Sequence, residues 1–285
     1  MPSQNISTDG FRVMKKLGTG ARTTIYLAID LSTNKRIALK RAVLETEQDH
    51  RIFEQMATEY KISNKIDHPY IRKCYPLIKK RRFFKTNEIL MPMELFIGRS
   101  LEESPSLSLG DILLVFRMIA TGLDAMHQKG LIHCDIKPNN ILISPAGSIK
   151  IIDLGQSCKF GTIKSRIQGT PDYIAPEQVK RQQLSHRTDI FNLGATMYWA
   201  MTGKNVPTLI SQKIDLGLQA NNKEFRAPHK IYRKIPRQVS KLVMKCVEEK
   251  PARRPENMSE VIATFDVLIR DIFSDKYEKN ESENN

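Results

Sequence analysis

Cysteine is scarce in this sequence. The 285 residues include only Cys74, Cys134, Cys158 and Cys246, and no two of them have the C-x-x-C spacing of a zinc ribbon. So few cysteines in a chain of this length favour a reducing compartment over a disulfide scaffold. We therefore expect a cytoplasmic location.

Long apolar runs are also missing. No stretch approaches the roughly 18 apolar residues that a membrane helix needs, and the opening MPSQNISTDG is not an apolar signal segment. We predict a flexible N-terminus at 1–10. We also predict a disordered polar tail at 273–285, because SDKYEKNESENN lacks large aliphatic residues. No membrane partner is expected.

Acidic residues are outnumbered by basic ones, 31 to 45, and the formal net charge is +14. This surplus fits a solvated basic surface, and it also fits attraction to nucleic acid, phosphate or an acidic protein. The densest basic run, KKRRFFK from Lys79 to Lys85, is typical of an exposed hairpin or loop as much as of a binding patch. Nucleic acid is not an expected partner, because positive charge is the only feature of the sequence that favours nucleic-acid binding.

The first third of the chain has the alternating apolar pattern of strands. The predicted strands are FRVMKKLG, TTIYLAID, KRIALKRAV and EILMPMEL. A helix is predicted between Glu45 and Ile66, where apolar residues approximate one helical face. Pro69 in HPYI ends this helix, since proline disfavours helix in the residue before it.

After Phe96 the pattern becomes mostly helical. Gly110 to Gly130 reads as a long apolar helix that stops at a glycine. Two short strand-like runs, ILI and SIKIID, follow it, and helices dominate from Pro176 onward. The sequence thus predicts an α+β, bilobal fold, with a small β-rich N-lobe at about 11–95 and a larger α-helical C-lobe at about 96–272. A ligand is expected in the cleft between the lobes.

Gly18 and Gly20 lie in a predicted turn between two strands. Glycines there let backbone N–H groups approach a phosphate, although two glycines are also ordinary in a structural hairpin. The run is not a Rossmann fingerprint, because a strand follows it, and it is not a Walker loop, because Gly-Lys-Ser/Thr is missing.

Lys40 lies in the apolar strand IALK. A strand lysine usually faces solvent, but one directed inward beneath a phosphate needs a carboxylate partner. The candidates in the following helical segment are Glu45, Glu47, Glu54 and Glu59.

Four polar residues stand at fixed positions in IHCDIKPNNILI and in the later IIDLG. Asp153 and Asn140 offer the oxygen ligands that Mg²⁺ prefers when it binds with phosphates. Asp135 could orient a hydroxyl and accept its proton, and Lys137 could neutralise a transferring phosphoryl group. Each residue alone is typical of a polar surface, so their joint spacing carries the interpretation.

With GTPDYIAPE at Gly169 to Glu177, these motifs resemble the eukaryotic-like (Hanks-type) Ser/Thr protein kinase family. The Gly-rich loop, strand lysine, H-x-D-x-K-x-x-N, D-x-G and A-P-E occur in the family's order, between about Phe11 and Ile272. The resemblance implies a kinase domain at 11–272, ATP, Mg²⁺ with Mn²⁺ as an alternative, and protein substrates bearing Ser or Thr.

The resemblance also implies roles for individual residues. The residues implied to bind ATP are Leu17, Gly18, Thr19, Gly20, Ile25, Ala38, Lys40, Glu59, Met93, Glu94, Phe96 and Leu142. Among them Lys40 would pair with Glu59, and Met93 would be the gatekeeper. Asp135 is implied to be the catalytic base and Lys137 the γ-phosphate ligand, while Asn140 and Asp153 would hold Mg²⁺.

Further roles are implied for the segment that receives the substrate. Thr170 resembles the threonine that bonds the catalytic Asp and Lys in Ser/Thr kinases, and Thr162 and Ser165 are candidate phosphorylation positions. Structural roles are implied for the pair Glu177 and Arg254, and for Asp189, which would brace the catalytic loop.

Four positions depart from the family's pattern. Thr23 replaces the third loop glycine and should stiffen the loop, and Leu154 replaces the usual Phe. Ser63 stands where relatives have an apolar residue, which predicts a looser helix around Glu59. Cys134 replaces an arginine that pairs with a phosphate on the activation segment, and cysteine cannot do so. We therefore hypothesise that activity does not depend strongly on phosphorylation of that segment.

Three alternatives to an active protein kinase are open. A pseudokinase scaffold is disfavoured by the presence of Lys40, Asp135 and the two metal-ligand candidates, although Thr23 and Ser63 keep it open. A basic nucleic-acid-binding protein would explain none of the spacings. A small-molecule kinase of related fold is disfavoured by GTPDYIAPE.

Overall fold

The computed structural model describes residues 7–8, 10–20, 22–43, 50–82, 85–104, 107–211 and 225–283. The chain divides into two compact units. The first contains Met1–Ile97 and Ile152–Gly155, and the second contains Gly98–Ile151 and Gln156–Asn285. The fold is the α+β, bilobal fold that the sequence predicts. The short segment around Asp153 belongs to the first unit, which the sequence boundaries did not anticipate.

The first unit is built on a six-stranded antiparallel sheet with the strand order β1-β2-β3-β4-β6-β5. Its strands are β1 (Ser7–Thr8), β2 (Phe11–Gly20), β3 (Thr23–Asp30), β4 (Lys35–Val43), β5 (Ile78–Arg82) and β6 (Lys85–Met93). Neighbouring strands are connected by hairpins except where helix α1 (His50–Ser63) intervenes. The four predicted strands are confirmed, and β6 ends at Met93 rather than at Leu95.

Helix α1 covers one face of the sheet because its apolar residues recur at helical spacing. Phe53 and Met56 are buried in one cluster with Met91 and Met93 of β6. The predicted start of the helix, including Glu45 and Glu47, lies outside the described residues. In the basic run, Arg82 pairs with Lys85 across the β5–β6 hairpin, as predicted for a hairpin, and residues 83–84 lie outside the described residues.

The second unit is mostly helical. Its helices are α2 (Leu109–Gln128), α3 (Pro176–Val179), α4 (His186–Thr202), α5 (Pro228–Ile231), α6 (Arg237–Cys246) and α7 (Met258–Glu283). Its short strands are β7 (Arg99–Ser100), β8 (Leu131–Ile132), β9 (Ile141–Ile143), β10 (Ile149–Ile151) and β11 (Cys158–Lys159). Strand β9 lies between β10 and β7, and β8 pairs with β11. None of the described helices combines the length and the apolar character needed to cross a bilayer.

Helix α2 begins one residue before the predicted Gly110 and ends at Gln128, two residues before the predicted Gly130. Ser108 accepts a hydrogen bond from the backbone N–H of Asp111, and the Asp111 carboxylate accepts one from the backbone N–H of Ser108, which satisfies N–H groups at the helix start. Gly130 follows the helix with a φ of 68°, a conformation that glycine adopts readily.

Helix α4 is buried around most of its circumference, which is typical of a helix inside a core. It approaches α6 closely at Gly194. A Cβ on Gly194 would lie 2.5 Å from the Cβ of Cys246, so only glycine permits this approach. The position of α4 matters for function because it carries Asp189.

Both ends of the chain differ from the predicted termini. Ser7 and Thr8 form β1 and pair with Arg12 and Phe11, within the stretch predicted to be flexible. Helix α7 continues to Glu283, through most of the predicted polar tail. The tail sequence is rich in Lys and Glu, which are good helix formers, and an existing helix extends at lower cost than a new one nucleates.

Candidate active site

In the first unit, Lys40 of β4 and Glu59 of α1 form a buried ion pair. The Nζ of Lys40 lies 2.6 Å from Oε2 of Glu59, whose side chain is 1% exposed. Arg72 approaches the other carboxylate oxygen at 3.6 Å. The inward direction of Lys40 follows from its position on the strand, where it pairs with Met91 of the buried β6. Glu59 is thus the candidate carboxylate that the structure brings to Lys40.

Asp153 stands two residues after the end of β10 and brings a second carboxylate to Lys40. Its Oδ1 lies 4.0 Å from the Lys40 Nζ, and its side chain is 44% exposed. Burial opposes the charged form of Lys40, but the carboxylates of Glu59 and Asp153 outweigh it and raise the pKa of Lys40 above its ordinary value. Lys40 therefore stays a cation that can attract a phosphate.

The chain bends sharply at Asp153. This residue has a φ of 63°, a left-handed conformation that aspartate tolerates better than most residues. A 3₁₀ turn at Leu154–Gln156 follows. A Cβ on Gly155 would lie 3.2 Å from the Cβ of Gln55 in α1, so the glycine lets this turn pack tightly against the helix that carries Glu59.

Gly18 and Gly20 lie in the last part of β2 and not in the turn that the sequence predicts. Gly18 pairs with Ile25, and Gly20 pairs with Thr23. A Cβ on Gly20 would lie 2.9 Å from the hydroxyl oxygen of Thr23. The Thr23 side chain therefore occupies space that is open only because residue 20 is a glycine. Leu17 and Thr19 are exposed on the same hairpin.

Of the remaining residues implied to bind ATP, four belong to the first unit and one to the second. Ala38 of β4 pairs directly with Met93 of β6, and both are buried. The backbone N–H of Glu94 donates to the Lys73 carbonyl at 2.9 Å, and Phe96 follows it as a partly buried residue. Leu142 belongs to the second unit, where it lies on β9.

In the second unit, Asp135 is the centre of a polar cluster. Its Oδ1 accepts hydrogen bonds from the backbone N–H and the hydroxyl of Thr170, at 3.1 and 2.9 Å. Its Oδ2 lies 3.1 Å from the Lys137 Nζ, and it accepts from Asn140 at 3.3 Å and from Gln156 at 3.4 Å. The Lys137 ammonium also donates to the Thr170 hydroxyl at 2.7 Å. The carboxylate is thus oriented by donors from three chain segments.

Asp189 of α4 holds the loop that carries Asp135. Its two carboxylate oxygens accept the consecutive backbone N–H groups of His133 and Cys134 at 2.9 and 2.8 Å. The His127 Nε2 lies 2.9 Å from the same carboxylate. Asp189 is fully buried, so these bonds act in a low-dielectric interior.

Glu177 and Arg254 form a buried, bidentate ion pair, with N–O distances of 2.7 and 2.9 Å. Thr188 donates a further hydrogen bond to Glu177 at 2.9 Å, and the Arg254 guanidinium lies over the ring of Phe191. Such planar pairs fix geometry as well as charge. This pair fastens the segment after Thr170 to the helical core.

Thr162 and Ser165 lie on the segment between Asp153 and Glu177. Thr162 donates its hydroxyl to the Lys159 carbonyl at 2.7 Å, and Ser165 is exposed. Neither is among the residues that bond Asp135. Cys134 is buried, and its Sγ lies 3.5 Å from that of Cys158.

Sequence reasoning misjudged Ser63 and missed two other residues. Ser63 is buried and hydrogen-bonds the backbone of residues 72 and 74, so it attaches α1 instead of loosening it. Gln156 reaches the Asp135 carboxylate, and Gln178 donates to the Cys134 carbonyl at 2.8 Å. Neither glutamine belongs to a motif that the sequence analysis uses. The one indication in the sequence is that Gln178 directly follows Glu177 of the A-P-E motif.

The oxygen donors predicted for Mg²⁺ are chemically suited to it, since this cation prefers oxygen ligands. The amide nitrogen of Asn140 donates to the Asp135 carbonyl at 2.8 Å, which leaves the amide oxygen as the atom that could bind a cation. Asp153 offers a partly exposed carboxylate. Each residue therefore fits the role that the resemblance implies.

A comparison with family models gives a match to the protein kinase domain over residues 11–265. This chain belongs to the protein kinase family. The match includes every residue of the two polar clusters, from Lys40 to Arg254. The kinase domain therefore accounts for nearly all of the described structure.

Several curated proteins are similar to this kinase domain. A probable serine/threonine-protein kinase of Clostridium acetobutylicum is 25% identical over 90% of this chain and 39% of its own length. The serine/threonine-protein kinase PrkC of Bacillus subtilis is 24% identical over 89% of this chain and 39% of its own. PknA of Mycobacterium tuberculosis is 29% identical over 71% and 49%. The chain thus spans two fifths to one half of these relatives.

Proposed function

We propose that this protein is a Ser/Thr protein kinase, which transfers the γ-phosphoryl group of ATP to hydroxyl groups of protein substrates. The observation that carries the proposal is the orientation of the Asp135 carboxylate by Thr170, Lys137 and Asn140. The named serine/threonine kinases among its relatives support the same class. A cytoplasmic site of action, supported by four cysteines that are all thiols, is part of this proposal.

Asp135 and Lys137 would carry out the chemistry in the second unit. Asp135 accepts the proton of the substrate hydroxyl as the hydroxyl oxygen bonds to the γ-phosphorus and the bond to the β-phosphate oxygen breaks, releasing ADP. Lys137 neutralises charge that develops on the transferred group. The Thr170 hydroxyl, bonded to both, keeps base and cation in register.

Lys40 would bind the α- and β-phosphates of ATP, held by Glu59 and kept charged by its raised pKa. Asn140 and Asp153 would hold Mg²⁺, which when bound neutralises phosphate charge and orients the nucleotide. Catalysis of phosphoryl transfer is mainly positioning and charge neutralisation. The intact set of these residues supports an active enzyme over a pseudokinase scaffold.

An assay with purified protein, radiolabelled ATP and Mg²⁺ tests the proposal. We expect phosphate on serine or threonine of the protein itself or of a generic basic substrate. Asp135→Asn should abolish transfer, whereas Asp67→Asn, which alters a carboxylate whose side chain is 98% exposed, should not. Nucleotide binding without transfer by the wild-type protein would contradict the proposal and favour the scaffold.

We further propose that activity needs no phosphate on the activation segment. Protein groups already fasten this segment in its unmodified form. The backbone N–H of Gly161 donates to Leu184 at 2.8 Å, that of Leu184 donates to Thr162 at 3.0 Å, and Lys164 donates to the Gln156 carbonyl at 2.8 Å. These bonds support a segment that is ordered without the arginine that Cys134 replaces.

Alanine substitution of Thr162 and Ser165, singly and together, tests this second proposal. We expect the rate of phosphoryl transfer to change less than about threefold, because neither residue contacts Asp135 and surface changes have small effects. A large loss from either substitution that an acidic replacement restores would contradict it. Thr170 is not a suitable test position because it bonds Asp135 directly.

A further inference from the structure

Two of the four thiols lie in contact beside the catalytic loop. The Sγ atoms of Cys134 and Cys158 are 3.5 Å apart, within hydrogen-bond distance for sulfur. Neither thiol has a part in the proposed phosphoryl transfer. Their proximity is a feature of the molecule that the kinase chemistry leaves unexplained.

The fold brings the two cysteines together by strand pairing. Cys158 begins β11 and pairs with Ile132 of β8. Cys134 lies two residues beyond Ile132, after β8 has ended, and its φ of 68° accompanies a side-chain position in contact with Cys158. Cys134 is packed with Ile132 and Leu184, and Cys158 covers this cluster from its edge. Backbone bonds to Asp189 and Gln178 fix Cys134 in place.

The two thiols have different surroundings. Cys134 is 1% exposed, whereas Cys158 is only partly buried. A hydrogen bond from the Cys134 thiol, together with the nearby Lys164 ammonium, lowers the pKa of Cys158 to about 7. The same hydrogen bond and burial raise the pKa of Cys134. Nucleophilic thiols are those with thiolate character and access, so Cys158 is the reactive member.

We propose that Cys134 and Cys158 form an oxidant-reactive dithiol, whose substrate class is hydroperoxides. The Cys158 thiolate attacks the terminal oxygen of the hydroperoxide, the O–O bond breaks, and the other oxygen takes a proton and leaves as an alcohol, or as water when the oxidant is hydrogen peroxide, which gives a Cys158 sulfenic acid. The Cys134 sulfur then attacks the Cys158 sulfur, the S–O bond breaks, and the hydroxide leaves as water with the proton of the Cys134 thiol. Two thiols lose two electrons in total, and the peroxide gains them.

The disulfide would connect the catalytic loop to the first strand of the activation segment. A disulfide requires an S–S distance of about 2.05 Å, so the sulfurs must approach by roughly 1.5 Å from their present separation. Cys134 is held by its backbone, so Cys158 is the residue that moves. Because β8 and β11 are already paired, closure needs no new strand register.

The test is peptide mapping of the purified, fully reduced protein after brief exposure to hydrogen peroxide and alkylation of the remaining thiols. We expect a Cys134–Cys158 cross-linked peptide that has lost two hydrogens and that disappears after treatment with a dithiol reductant. Cys74 and Cys246 are internal controls, since burial raises the pKa of each thiol to about 12. Cys158 should react at least about tenfold faster than either.

Two variants separate the roles of the cysteines. Cys134→Ser should leave Cys158 as a sulfenic acid that a 1,3-dicarbonyl probe traps, and Cys158→Ser should leave Cys134 unoxidised. Equal oxidation of all four cysteines, a covalent dimer, or oxidation of Cys158 to the sulfinic acid without a cross-link in the wild-type protein would overturn the proposal. The wild-type map decides the question even if a variant fails to fold, and it is independent of kinase activity.

Discussion

The side-chain oxygen of Ser63 accepts a hydrogen bond from the backbone N–H of Cys74 at 2.8 Å. The same hydroxyl donates to the Arg72 carbonyl at 3.0 Å. Ser63 is the last residue of α1, so these bonds fasten the helix that carries Glu59 to the chain leading into β5. A polar residue at this position therefore replaces apolar packing with two directional contacts.

Ser63→Ala should destabilise the protein, because it leaves a buried N–H and a buried carbonyl without a partner. Each unsatisfied group costs about 1–3 kcal/mol, so we expect the free energy of unfolding to fall by about 2 kcal/mol or more. Urea unfolding measures this. Ser148→Ala, at an exposed position, is the matched control and should change it by less than about 0.5 kcal/mol. A stability equal to that of the control would contradict the structural role of the hydroxyl.

Thr170 should affect the rate of transfer more than the binding of ATP. Its hydroxyl donates to Asp135 and accepts from Lys137. Thr170→Val keeps the shape but loses both bonds, and a small misplacement of catalytic groups can cost about 100-fold in rate. We expect kcat to fall by about 10–100-fold with little change in KM for ATP. Thr170→Ser should keep most of the activity, and equal activity of the Val and Ser variants would argue against this role.

Breaking the buried pair of Glu177 and Arg254 should be costly. Glu177→Gln leaves the Arg254 guanidinium buried without its counter-charge, and such changes destabilise proteins by about 3–5 kcal/mol. Denaturant unfolding again gives the value. Glu249→Gln alters the exposed pair with Lys180 and should cost less than about 1 kcal/mol. Similar losses in the two variants would be inconsistent with the buried geometry.

The rate at which Cys158 reacts with an alkylating reagent should depend on pH as expected for a thiol of low pKa. The hydrogen bond from Cys134 and the Lys164 ammonium lower the pKa of Cys158 to about 7, below the pKa of about 8.5 of an ordinary thiol. A lowered pKa means that the thiolate is already half formed near neutral pH. The rate of alkylation by iodoacetamide should therefore rise with pH, with a midpoint near pH 7. It should reach its plateau about 1.5 pH units below the plateau of an ordinary thiol.

The charged groups around Cys158 allow a matched test of this prediction. The Lys164 ammonium favours the thiolate, while the Asp189 carboxylate opposes it. Lys164→Met should move the midpoint of alkylation to higher pH. Lys159→Met, at the exposed neighbouring position on β11, should leave it close to the wild-type value. A midpoint near pH 9 in the wild-type protein would contradict the prediction.

Local pattern was sufficient to predict most of the fold. Strands β2, β3 and β4 were predictable because their β-branched and apolar residues alternate in the sequence and turn residues separate them, and α2 because a long apolar run is followed by a glycine. The order of the motifs was enough to predict the family. The helical tail after residue 273 was not predicted, because its composition lacks the apolar residues on which the pattern depends.

Contacts between distant segments could not be predicted in the same way. The proximity of Cys134 and Cys158 depends on the pairing of β8 with β11, two strands of only two residues each, which leave no periodicity to detect. The reach of Gln156 to Asp135 depends on the turn after Asp153. The role of Ser63 was misjudged because its partners are backbone groups, and any sequence would supply those.

The contacts that hold residue 134 have a bearing on how this loop can change. Asp189 accepts a hydrogen bond from the backbone N–H of Cys134, and Gln178 donates one to its carbonyl. Every residue except proline has both of these backbone groups. The side chain takes no part in fixing the position of Asp135. The contacts that position Asp135 and the chemical character of the side chain next to it are therefore set by separate groups of the loop.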